Sequence, residues 1–167
     1  MSKLAEIKLI CCHFTKNLAY FRASDKQKFL RYDFLRLANG NFAEIAILEF
    51  CKLSGGKNEK YRWQKIVTNQ EDFKKKIEEE TNLNLIQFEA YIKTIKDYRD
   101  KYLSHFDEDT NIKLPNLETA EKFVCLYYNY TIREHGVGLY PKDISKFYKE
   151  SFEEAVHLLN NHFSQSR

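Results

Sequence analysis

The stretch Leu85-Ile86-Gln87-Phe88-Glu89-Ala90-Tyr91-Ile92-Lys93-Thr94-Ile95-Lys96-Asp97-Tyr98-Arg99-Asp100-Lys101-Tyr102-Leu103-Ser104-His105-Phe106-Asp107 decides how this chain reads. Leu85, Phe88, Ile92 and Ile95 recur at three- and four-residue steps, the spacing of the buried stripe of an amphipathic helix. The same stepping lands next on Arg99, then on Tyr102 and Phe106. A permanently charged guanidinium therefore stands where the pattern asks for a core residue. Burying an unpaired charge costs on the order of several kcal/mol, so Arg99 requires a carboxylate, a partner chain or an anionic ligand. His105 follows in the same stretch, with Asp100 and Asp107 close by. Local rules are broken here and nowhere else so plainly, and such breaks tend to mark function.

Outward from that helix the rest also reads as helical. Gly (5) and Pro (2) are scarce among 167 residues, which disfavours a sandwich or barrel and favours long helices. The 13 Phe and 11 Tyr predict a ring-rich core. Leu4, Ile7, Ile10, Cys11, Phe14, Leu18 and Phe21 fit one face of a helix over residues 3–22. Asp25 is a candidate cap for a second helix through Phe29, Leu30, Phe34 and Leu37, interrupted at Asn39-Gly40-Asn41. Asn41 and Glu44 then read as a cap and its return partner, opening a central helix to about Leu53. The alternative is one helix over 26–53 kinked at Gly40.

Ser54-Gly55-Gly56-Lys57-Asn58 is a loop with no phosphate-loop pattern around it. Residues 61–67 suit a short helix, and Thr68 with Glu71 a capping box for a charged one. The adjacent runs Lys74-Lys75-Lys76 and Glu78-Glu79-Glu80 read as a solvated face rather than an RNA patch, because the acids cancel the bases. Asn84 with Gln87 caps the decisive helix, which should weaken near 104–109, where acids gather at a C-terminus that prefers cations. A connector over 107–116 precedes a helix over about 116–134, with Ala120, Phe123, Val124, Leu126, Tyr127 and Tyr130 inward and Gly136 ending it. Pro141 suits the first turn of a last helix, whose buried side is Phe147, Phe152, Ala155, Val156, Leu159 and Phe163. The expected fold is all-α: a single domain over 1–167, an up-and-down bundle of four to five helices with short additional ones.

A net charge of +3 permits an anionic partner without announcing one. Cys11, Cys12, Cys51 and Cys125 form no CxxC pair, and no signal-peptide pattern occupies residues 1–20, so reduced core thiols in the cytoplasm are expected. His157 and His162 are wrongly spaced for two ligands on one helix face, His13 reads as a packed core histidine, and Arg133-Glu134-His135 as a surface cluster at a helix end. No metal site, no cofactor and no membrane span is expected.

Arg99-Asp100-Lys101-Tyr102-Leu103-Ser104-His105, late in a long helix of an all-helical chain, resembles the signature of the HEPN superfamily. That signature is an Arg, a polar residue directly after it, and a His after four to six more; here the polar residue is Asp100 and the gap is five. The His-Phe-Asp ending and the flanking helices are most similar to the abortive-infection, phage-defence branch. The resemblance implies a metal-independent endoribonuclease acting as a toxin or defence effector, with two copies of the motif meeting across a homodimer interface. It also implies RNA as substrate and a cognate antitoxin as a candidate partner. The superfamily contains members without catalysis, so the alternative is a helical module that binds nucleotide, RNA or a protein partner.

The residue chemistry agrees with the first reading. RNA carries its own nucleophile, the 2′-hydroxyl, so cleavage needs a base, an acid and a cation for the phosphorane. His105 suits the proton transfers and Arg99 the phosphoryl oxygens. Asp100 could orient Arg99 or the His of a partner chain, Tyr102 could donate to the phosphate, and Lys101 is a further substrate-binding candidate. Geometry objects: six residues of ideal helix turn about 600°, leaving His105 roughly 120° around the axis from Arg99. Either the helix loosens near Ser104, or His105 works with the Arg99 of another subunit.

Overall fold

The computed structural model describes residues 2–103 and 113–163, with side chains described for 2–101 and 113–163. Every regular element among them is helical. The longest are α1 (Lys3–Ser24), α3 (Asp33–Ser54), α6 (Glu118–His135) and α7 (Ile144–Phe163), with α4 (Gln70–Thr81) and α5 (Leu85–Tyr98) between them. A single turn, α2 (Gln27–Leu30), joins α1 to α3, and a 3-10 turn occupies Trp63–Lys65.

Helix α1 is the axis of the bundle. Ser2 caps it by accepting from the Ala5 N–H at 3.2 Å, and Ile7, Ile10, Cys11, Phe14 and Leu18 are buried along one face. Side-chain pairs fix the directions of its neighbours. Tyr20 meets Phe42 and Phe14 meets Phe50, so α3 runs antiparallel to α1. Lys8 meets Gly136 and Arg22 meets Glu121, so α6 is antiparallel as well. Tyr140, ahead of α7, stands against Lys8, while Phe163 at its end meets Tyr32, so α7 runs with α1. Helices α4 and α5 close the opposite side over α6 and α3.

The core between them is made of rings, as the composition suggests. Phe123 lies 5.3 Å from Phe88, 5.8 Å from Phe50 and 6.4 Å from Phe73, centroid to centroid. Such tilted and edge-to-face pairs add to the stabilisation from area burial. Tyr127 and Tyr128 are fully buried, and each keeps a backbone partner: Tyr61 O at 3.1 Å and Pro141 O at 2.6 Å. A second small cluster, of Ala23, Phe29, Leu35, Ala155 and Leu159, seals the α2 end.

Several local expectations are corrected. Asn39-Gly40-Asn41 does not interrupt a helix; α3 runs straight through it, and the break falls earlier, at Arg31 and Tyr32. The reason is tertiary: buried Asn39 donates to Phe21 O at 2.9 Å and to Ser24 Oγ at 3.0 Å, tying α3 to the end of α1. Asp25 ends α1 rather than opening α2. Phe34 and Leu37 are 72% and 66% exposed instead of buried, because α3 turns that face away from α1. Asn69, not Thr68, caps α4, since Thr68 N–H is drawn to the Tyr130 hydroxyl at 3.2 Å. Pro141 precedes α7 without entering it; Asp143 accepts from the Ser145 and Lys146 amides there. His13 is exposed rather than packed, with Nδ1 3.6 Å from the buried carboxylate of Glu49. The Asn84–Gln87 capping box and the Gly136 stop (φ 71°) stand as expected. No helix among the described residues is long and apolar enough to cross a membrane.

Candidate functional site

Arg99 stands where α5 changes its winding. The α-helix ends at Tyr98 and a π-helical turn takes over across Arg99–Leu103. The Arg99 N–H reaches both Ile95 O and Lys96 O at this changeover. Single π turns inside helices interrupt the regular side-chain stepping and are frequent at functional sites. The stretch near Ser104, where loosening is expected, lies outside the described residues; the winding changes before it, at Arg99, so the angular separation of a straight α-helix does not apply across Arg99–Leu103. His105 and the side chain of Tyr102 lie outside the described residues.

The guanidinium is four-fifths buried and meets carboxylates of its own chain. Nε and Nη2 both donate to one Asp100 oxygen at 2.8 Å, and Nη1 is 3.6 Å from Glu59 Oε1. Asp100 thereby orients its own Arg99, one of the two roles open to it. Glu59 is contributed by the loop after α3, whose backbone is tied by the Glu59 N–H donating to Gly56 O at 3.0 Å. The Glu59 pairing is long and leaves part of the fork available for a competing anion. Cys51 faces the same cation; burial pushes its thiol up to about 11, with Arg99 opposing that rise. Thiolate chemistry at neutral pH is therefore not what this site is built for.

Two pockets flank this turn, and Arg99 lines neither. One, of about 230 Å³, lies between the loop at Gly55, Gly56 and Lys57 and the face of α5 carrying Glu89 and Lys96, with Arg62 at its rim. The other, of about 250 Å³, holds exposed Lys101 beside Asp97, Tyr98 and Lys113. Gly55 is required where it stands: a Cβ there would come within 2.3 Å of Cys51 O. From sequence, residues 54–58 are legible only as a loop, and Glu59, Arg62 and Lys96 do not stand out. Glu59 carries no local signal, because its partner is distant in sequence. The lysine following two glycines is visible, but its companions come from α5 and the chain beyond the loop.

The second Arg/His cluster is structural. His135 shares hydrogen bonds with Ser2 Oγ at 3.1 Å and Lys8 Nζ at 3.4 Å, and Arg133 pairs with Glu134. Lys8, only 1% exposed, donates to Gly136 O at 2.6 Å. It neutralises the carbonyl end of α6, where a cation is favourable. Among the described residues no group of three or more His, Cys, Asp or Glu is arranged to hold a metal ion. Cys11, Cys12 and Cys51 are buried and Cys125 half-buried, all four as free thiols.

No family model matches the chain, and neither a curated protein nor a solved structure matches it.

Proposed function

We propose that this protein is a metal-independent endoribonuclease of the HEPN type, cleaving RNA through Arg99 and His105 as a homodimer and serving as a toxin or phage-defence effector in the cytoplasm. The observation that carries the reading is the placement of Arg99. A largely buried guanidinium, oriented by the acid directly after it, stands on a π-helical turn a few residues ahead of His105 in the sequence. In the reaction the 2′-hydroxyl attacks the adjacent phosphorus and the 5′ oxygen leaves. Histidine is suited to move both protons, and the forked guanidinium to bind the phosphorane oxygens as their charge grows. Asp100 keeps that fork in place. A cyclic phosphate and a 5′-hydroxyl result, with no water consumed in the first step.

The test is incubation of the purified protein with labelled single-stranded RNA in EDTA, beside a folded His105→Ala variant. Cleavage by the wild type alone, with cyclic-phosphate ends, supports the reading. Equal cleavage by both assigns the activity to other residues or to a contaminant. Light scattering on the same sample tests the homodimer, and co-purification from the native host tests for a cognate antitoxin.

A second reading is favoured by one specific fact, that Arg99 already has two carboxylates of its own chain around it. In that reading the site is a non-catalytic module that binds nucleotide, RNA or a protein partner. RNA binding that survives His105→Ala, with no cleavage in any condition, selects it.

A further inference from the structure

The pocket beside the Gly55-Gly56 loop is built for an anion. Lys57 and Arg62 from the connector after α3 and Lys96 from α5 converge on it, beside Lys93. Among the described residues none of the three has a carboxylate at ion-pair distance, whereas Lys93 on the same helix is paired to Asp97 at 2.8 Å. Lys96 is half-buried, and its ammonium lies against the loop backbone: a Cβ on Gly56 would be 3.6 Å from Nζ. Among the described residues the Arg62 side chain gives only Nε to the protein, donating to Gln64 Oε1 at 2.7 Å. The amides of Gly56 and Lys57 donate to no protein acceptor among the described residues. Glu89 is the one acid in the lining.

One structural demand for cations exists here, the carbonyl end of α3. The Gly55 N–H meets one of its free carbonyls, donating to Cys51 O at 2.8 Å. Carbonyls accept and cannot answer the two open amides, which need an acceptor of their own. The half-buried Lys96 ammonium and Arg62 guanidinium are costly without a counter-charge, while Lys57 stands exposed beside them; oxyanions are the ligands that satisfy such forks and amides together.

We infer that this pocket is a phosphate-binding subsite that holds a backbone phosphate of single-stranded RNA, next along the strand from the phosphate at Arg99. The inference rests on the ribonuclease reading for its ligand. The connection between the two positions is short: Lys96 precedes Arg99 by one helical turn, and Glu59 joins the loop to Arg99 through its backbone and its carboxylate.

The experiment uses the whole chain, isotope-labelled for amide NMR and titrated with inorganic phosphate, with a mononucleotide and with a short single-stranded RNA. RNA affinity is measured across a salt series for the wild type, the double variant Arg62→Gln/Lys96→Gln, and Lys75→Gln on the solvated face of α4. The expected result is movement of the Gly55, Gly56 and Lys57 amides by RNA. The double variant should bind RNA roughly tenfold more weakly, with a salt slope smaller by about 0.7 for each phosphate no longer neutralised, while Lys75→Gln matches the wild type. If the amides move with phosphate or mononucleotide but not with RNA, the polynucleotide ligand is overturned. If nothing moves them, the subsite itself is overturned. RNA cleavage with an unchanged KM in the double variant would remove the subsite and leave the ribonuclease reading standing. Amide shifts without any cleavage would do the reverse.

Discussion

Gly40 offers the sharpest check on how this chain folds. In the sequence it reads as a breakpoint, yet it sits in the first half of α3 with its position exposed and no heavy atom within 4 Å of where a Cβ would be. Glycine in an exposed helix interior costs about 0.8–1.0 kcal/mol relative to alanine, through backbone entropy. Nothing in the surroundings opposes the added methyl, so Gly40→Ala should stabilise the protein by nearly that amount. For a chain of this size that corresponds to a rise in Tm of about 2–4 °C. Urea unfolding followed by the fluorescence of buried Trp63, with far-UV circular dichroism as a second probe, measures it. Gly55→Ala is the matched opposite: its Cβ would fall 2.3 Å from Cys51 O, and relieving such an overlap costs about 1–3 kcal/mol. Loss of stability in Gly40→Ala would refute the continuous α3 and restore the kink.

Three further outcomes follow from the same geometry. Arg99→Ala should lower RNA cleavage by about 10²–10³-fold while changing urea stability by only about 1 kcal/mol, because the carboxylates it leaves behind, Glu59 and Asp100, are themselves solvent-accessible; a large stability loss with RNA binding intact would make Arg99 a strut instead. Lys8→Met should destabilise by about 1.5–3 kcal/mol, because the Gly136 carbonyl loses a charged donor at the end of α6, and thermal unfolding reads it. Burial pushes the Cys12 and Cys51 thiols from 9.0 up to about 11, so the folded chain keeps protons that the unfolded chain releases. Their contribution to stability is complete below pH 9 and declines as pH rises toward 11. Unfolding midpoints across that range test the sign, and a flat profile would contradict it.

The parts of the fold that were legible in the sequence are those governed by neighbours three or four residues apart. The stripes of α1, α5 and α6, the Asn84 box and the Gly136 stop all depend on local spacing and local caps. The errors share one cause, which is a distant group overriding the local signal. Asn39 looks like a helix breaker until the Phe21 carbonyl and Ser24 hydroxyl take its amide. Thr68 looks like a cap until Tyr130 takes its N–H. His13 looks buried because its neighbours are, although its own direction on α1 points outward past Glu49. The candidate site divides the same way: Arg99 and Asp100 stand out as a local violation of the stripe, whereas Glu59, Arg62 and Lys96 meet only when the loop after α3 closes on α5.

That closure bears on how the two carboxylates around Arg99 should be understood. Asp100 is adjacent in sequence, takes two donors of the guanidinium on one oxygen, and would stay with it through any rearrangement of the turn. Glu59 reaches the third nitrogen only at 3.6 Å and belongs to a loop fixed by glycine geometry at Gly55. A phosphate arriving at Arg99 competes with Glu59 alone, and the cost of displacing a long, partly exposed ion pair is below about 1 kcal/mol. Glu59→Gln should therefore strengthen binding of single-stranded RNA by a few-fold at low salt, with the gain shrinking as salt screens the charge that was removed. Asp100→Asn should weaken binding and cleavage together, because it frees the guanidinium from its orientation. Fluorescence anisotropy with a short RNA separates the two. Equal losses in both variants would mean that Arg99 is held for the fold and that no anion takes its place there.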